Sequence, residues 1–99
     1  MILTTTNSIE GHKIVDYLGI VTGVALNKEG ISMGFSMTKY YTKMQTSIET
    51  VKEEAFQTLQ NNAVKLNASA VVGIKVEIEL TTSNYVMVSV TGPAVKVAI

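Results

Sequence analysis

The chain has 99 residues, enough for one domain and one core, with 46% hydrophobic residues, 16% charged residues and no cysteine. Eight Lys+Arg balance eight Asp+Glu, so no single-sign field draws a nucleic-acid backbone or anionic lipid, and the missing thiols exclude a disulfide framework, a thiolate metal site and a thiol nucleophile. A mean hydropathy of +0.28 is more apolar material than a small domain easily hides, which predicts self-association.

Residues 1–7 are Thr-rich and lack a charged region followed by an apolar stretch. With no run of about 18 apolar residues anywhere, a cytoplasmic protein is predicted. Residues 12–26 read as one long strand: Ile14, Leu18, Ile20, Val24 and Leu26 lie on one face, and Val15, Tyr17, Val21 and Ala25 on the other. Both faces are apolar, as in a sheet covered on two sides or a strand that serves a subunit contact. Gly19 and Gly23 interrupt it, where a bulge, a bend or a close backbone approach is expected, with a bend preferred. Residues 27–30 form a turn by composition. In residues 30–45, Met33, Met37, Tyr40, Tyr41 and Met44 recur at steps of three or four, a helical spacing weakened by Gly30, Gly34 and several Ser and Thr.

The main helix is carried by Ile48, Val51, Ala55, Leu59, Ala63 and Leu66, with Lys52, Glu53, Gln57, Gln60 and Asn61 mostly on the other side. Thr46 with Glu49, or Thr50 with Glu53, stands in capping-box spacing at its start, and Asn67 supplies the left-handed stop. Residues 70–80 then switch to period two, with Val72, Ile74, Val76, Ile78 and Leu80 on one face and Lys75, Glu77 and Glu79 on the other. A polar turn at residues 81–84 leads into residues 85–91, an antiparallel hairpin partner with Val86, Val88 and Val90 inward. Gly92-Pro93 is expected to break this strand before a short last run through Val95, Val97 and Ile99. The class predicted is α+β in β-α-β-β order, an antiparallel curved sheet on one long helix.

Several segments together resemble the YbjQ-like family: Tyr17-Leu18-Gly19-Ile20-Val21-Thr22-Gly23, Ala55-Phe56 and Ala63 in the helix, Ala68-Ser69-Ala70-Val71-Val72-Gly73, and Val88-Ser89-Val90-Thr91-Gly92-Pro93-Ala94-Val95-Lys96. The resemblance covers about residues 9–96. It implies a small bacterial protein of unassigned function that carries a heavy-metal-binding label. It also implies a subunit with dodecin-like layout, assembled with its own copies into a ring-shaped homopentamer. Two departures stand out. The connector before the main helix is the shorter stretch of residues 30–45, and the family's leucine–glycine–alanine junction is Leu66-Asn67-Ala68 here.

Candidate sites are few. His12, the single histidine, with Glu10 two residues before it and Asp16 as a third ligand, is the one protein donor set for a divalent metal; a solvated strand end is the plainer reading, unless a ring gathers His12 from several subunits. Met37, Tyr40 and Tyr41, with Met33, Phe35 and Met44, suit a pocket for a flat or apolar small ligand, with core or subunit packing the plainer reading. Lys39 and Lys43 flank that set. Glu49, Glu53 and Glu54 are expected near the helix start, where carboxylates favour the positive end of its dipole. No Ser/His/acid arrangement and no phosphate-loop spacing occurs, so the sequence implies no cofactor and predicts a non-enzymatic protein that binds itself.

Overall fold

The centre of the fold is the 13-residue strand β5 (Val86–Ala98), which has a partner on each side. The 14-residue β2 (Lys13–Leu26) pairs antiparallel along one side. On the other side β4 (Lys75–Leu80) pairs with the first half of β5 and the two-residue β3 (Ala70–Val71) with the second, both antiparallel. A short β1 (Ile2–Leu3), which no periodicity announces, adds in parallel to β3 and makes the sheet mixed rather than wholly antiparallel. One 29-residue helix, α1 (Met37–Lys65), lies across one face. The computed structural model describes residues 1–27, 37–81 and 85–98, and only the backbone of residues 37, 38 and 40. The turn positions 28–30 and 82–84, and Met33, Phe35 and Ile99, lie outside the described residues.

The stripe Val51, Ala55, Leu59 and Ala63 on α1 is almost wholly buried against Val21 of β2, Val71 of β3 and Val86, Val88, Val90 and Ala94 of β5. Alternation on β5 is therefore obeyed as read from the sequence, and each such aliphatic side chain contributes about 1.5–3 kcal/mol by leaving water. One small position decides how near the layers come. A Cβ on Gly23 would lie 2.0 Å from the Ala55 carbonyl oxygen and 2.7 Å from the Leu59 nitrogen. Gly23 is thus a close backbone approach, not the expected bend. The irregularity sits at Gly19 instead, whose φ of 131° accompanies a register shift between Tyr17 and Gly19.

Helix α1 begins nine residues ahead of Thr46, so both expected capping boxes lie inside it. Thr46 Oγ1 donates to the Thr42 carbonyl at 3.1 Å instead of capping an end. The weak helical spacing of residues 37–44 is real structure, completed because a continuous helix satisfies its own backbone groups. The helix stop matches its expectation in detail. Asn67 has φ 61°, its N–H donates to Val64 at 2.9 Å, and the Ala68 N–H donates to Ala63 at 3.1 Å, the two bonds of a Schellman ending.

Residues 70–80 do not form one strand. Gly73, at φ 55°, inserts a one-residue phase change. Val71 and Ile74 face the helix, whereas Val72 joins Ala70, Val95, Ile9, Ile14 and Val97 on the opposite face. The N–H groups that leave the ladder there are taken by the N-terminal segment: Gly73 donates to Thr6 at 2.7 Å and Ile74 to Thr4 at 3.1 Å. The predicted break at Gly92-Pro93 is absent, because β5 runs straight through it. Gly92 lets the Val72 carbonyl come within 2.8 Å of where a Cβ would be, and the Pro93 carbonyl accepts from Val72 at 3.2 Å. Pro93 thus sits at the gap between β3 and β4, where a missing N–H is least felt.

Gly23→Ala is expected to cost about 3 kcal/mol or more, since its methyl meets main chain that cannot move aside. In thermal denaturation followed by circular dichroism this is a fall in Tm of more than about 12 °C; a fall of a degree or two would show that helix and strand part easily. At the helix stop, Asn67→Gly should be neutral within a few tenths of a kcal/mol, whereas Asn67→Val should cost about 1–2 kcal/mol for forcing a branched side chain into the left-handed region.

Candidate functional site

The face of the sheet away from α1 is the part of the molecule that its own fold leaves bare. Register fixes its composition. Ile20 lies opposite Pro93, Thr22 opposite Thr91, Val24 opposite Ser89 and Leu26 opposite Met87. On the far side of β5, Lys75, Glu77 and Glu79 oppose Thr91, Ser89 and Met87. The face thus grades from apolar on β2, through mixed on β5, to charged on β4. Ile20 is 76% exposed, Val24 53% and Leu26 45%. At the other end of the same face, the N-terminal segment covers Ala70, Val72 and Val95 through Ile9. Around Ala70, Val72 and Val95 the sheet is therefore buried on both faces, while Val15 and Tyr17 of β2 stay 57% and 68% exposed.

A second bare strip lies on the helix side. Val76, Ile78 and Leu80 oppose Val90, Val88 and Val86, so they share the face that α1 packs on. The helix spans β2 and β5 and stops short of β4, leaving these three 38%, 48% and 52% exposed. The half-buried strand expected here is consequently bare on both faces in a single chain.

A cleft of about 460 Å³ opens between the end of β2 and one side of α1, lined by Leu26, Asn27, Lys43, Thr46, Ser47, Thr50, Val51 and Glu54. Asn27 closes β2 at its rim: its N–H donates to the Val86 carbonyl at 3.0 Å and its Oδ1 accepts from the Val86 N–H at 2.9 Å. Lys43 and Glu54 are eleven residues apart on the helix, about 16 Å, so the two charges do not converge on one small molecule. A smaller hollow of about 210 Å³ lies on the bare sheet face between Val24, Glu77, Glu79, Met87 and Ser89.

The residues singled out from the sequence scatter. Glu10 is exposed, and His12, half-buried, sits in the turn at Gly11 with its Nδ1 3.2 Å from the Glu10 carbonyl oxygen. Asp16 is exposed on β2 opposite Lys96. Among the described residues no three His, Asp or Glu side chains converge as a metal would require, so one chain does not assemble the Glu10, His12 and Asp16 set. Tyr41 stands exposed near the start of α1, while the side chains of Met37 and Tyr40 lie outside the described residues. Glu49, Glu53 and Glu54 are exposed in mid-helix, not at its start, and the first turn of α1 holds no acidic residue. The dipole role expected for them is therefore replaced by solvation. No helix among the described residues is long and apolar enough to cross a membrane. What periodicity did not single out is the bare strip on β4. Its signal was the alternation of residues 76–80, which marks a face without telling whether the helix reaches it.

Comparison with known proteins places this arrangement among relatives. A family model described as "putative heavy-metal-binding" matches residues 1–98. A UPF0145 protein of Clostridium kluyveri is 37% identical over 107 aligned positions, covering 98% of this chain and 99% of that one. A second UPF0145 protein, from Halalkalibacterium halodurans, is 36% identical and covers 97% of this chain and 95% of its own length. Among solved structures, a protein of unknown function from Pediococcus pentosaceus, of the DUF74 family, superposes with a TM-score of 0.71 at 17% identity over 99% of this chain and 98% of that one. That likeness concerns the fold.

Proposed function

This chain belongs to the YbjQ-like family, and we propose that it serves as the non-catalytic subunit of a homo-oligomeric ring in the cytoplasm. One observation carries the reading. The chain exposes 6388 Å², whereas a monomer of 10.7 kDa is expected to expose roughly 5,500 Å². The excess, about 900 Å², is close to what one partner contributes to a standard protein interface. Ile20, Val24 and Leu26 on the bare sheet face and Val76, Ile78 and Leu80 beside the helix are among the large apolar side chains left exposed, together with Val15, Tyr17, Tyr41 and Val64. Shape supports it as well: the radius of gyration is 16.2 Å, against about 13 Å for a compact domain of this length. Five copies is the size that the family resemblance implies, and any small ligand is placed at the junctions between copies, where the two bare strips meet other chains.

Light scattering after size exclusion tests this directly. A particle of about 54 kDa, five times the 10.7 kDa subunit, is expected; a particle of one subunit ends the reading. The double variant Ile78→Lys, Leu80→Lys should stay folded by circular dichroism, since both side chains are half exposed in the single chain, and lose mass toward the single chain, because two cations cannot be buried without partners.

The family description favours a second reading, metal binding. A single chain does not fit a heavy metal, having no thiolate, one imidazole and no converging donors among the described residues. The reading therefore needs His12, with Glu10 and Asp16, repeated around a ring axis. Elemental analysis and melting in Zn²⁺, Ni²⁺ or Cu²⁺ discriminate the two, since a metal at one hundred times its Kd stabilises the native state by about 2.7 kcal/mol. No metal and no change in Tm are expected; a rise in Tm that His12→Ala abolishes would establish the metal reading.

A further inference from the structure

The subunit is lopsided about its own sheet. At one margin α1 lies so close over β2 that its backbone nearly touches Gly23, and Leu66, just past the helix, stands 3.7 Å from where a Cβ of Gly19 would be. At the opposite margin β4 carries Val76, Ile78 and Leu80 toward the helix side with no helix above them. Both margins are open edges: among the described residues β2 and β4 each pair with β5 alone. An open edge presents a row of unpaired N–H and C=O groups ready to take another strand. One margin has a helix with no further strand beyond it, and the other has a strand with no helix over it.

We infer that β4 of one copy pairs with the β2 edge of the next, along residues 20–26, so that Val76, Ile78 and Leu80 slide under the neighbour's α1. This rests on the self-assembly reading above and names its interface. Strand direction supports it. Both β2 and β4 run antiparallel to β5, hence parallel to each other, so joining them in the parallel sense keeps every helix on the same side of one continuous sheet. That contact is heterologous, the kind that generates a ring when the rotation between neighbours divides a full turn. Length agrees: β4 has six residues, and the regular part of β2 runs from Ile20 to Leu26, beyond the register shifts at Ile14/Asp16 and Tyr17/Gly19. Charge agrees too. Lys75, Glu77 and Glu79 of one copy would lie beside the uncharged Ile20, Thr22, Val24 and Leu26 of the next, so no like charges face each other. In such a ring the bare sheet faces turn together toward the shared axis.

The absence of native cysteine makes disulfide trapping clean. Val24→Cys is combined in one chain with Lys75→Cys, Glu77→Cys or Glu79→Cys, all on the bare face, and oxidised. Val24 and Glu77 both oppose Ser89 within a subunit, about 9.6 Å apart across two strand spacings, too far for an intrachain bond. The expected result is that one of the three pairs yields a ladder of dimer, trimer and higher species on a non-reducing gel, while the single-cysteine variants yield none. Dimers from Val24→Cys alone, or no ladder from any pair, with light scattering still reporting an oligomer, would overturn the edge pairing and leave self-assembly standing. A single-subunit mass for the unmodified protein would overturn both.

Discussion

The contact between the backbone of α1 and Gly23 sets the geometry of everything else. With no side chain on Gly23 and only methyls on Ala55 and Ala63, helix and sheet meet at near main-chain distance over β2. Close-packed interiors leave no slack, so placing the helix there removes it from elsewhere. A helix is about 10–12 Å wide with its side chains and strands are about 4.8 Å apart. One helix anchored over β2 therefore covers β2 and β5 and cannot also reach β4.

From that single placement come two uncovered strips, one on each face. The sheet end near β3 is protected by a separate device, the N-terminal segment, whose Thr4 and Thr6 carbonyls take the N–H groups released by the kink at Gly73 and whose Ile9 covers Val72 and Val95. Nothing in the described chain does the same for the end near β4. Around β3 the chain covers its own sheet on both faces, whereas β4 is exposed along its whole length.

Among the described residues the candidate charged side chains stay apart. The glutamates of α1 are spread along an exposed helix, and the single histidine is bound up in a local turn with the Glu10 carbonyl. General acid and base work asks for carboxylates that face each other in a sheltered site. The two clefts described above lie beside a strand end and on the open sheet face, and their charges are spaced along elements instead of converging.

The sequence by itself determined the long strand β2, the buried stripe of α1, the inward valines of β5 and the helix stop at Asn67, because each depends on local periodicity or on the conformational tolerance of one residue. It also carried the family resemblance and the apolar surplus. Only the tertiary structure decided which apolar face is covered: Ile20, Val24 and Leu26 read as plausibly inward as Val21 and Ala25, and Val76 to Leu80 alternate as well as Val86 to Val90. Whether α1 starts at Met37, whether Gly23 bends a strand or admits a helix, and whether Gly92-Pro93 ends β5 were likewise settled by neighbours distant in the chain. Periodicity records that a side chain shuns water, and only the position of the opposing layer says whether its own chain supplies the shelter.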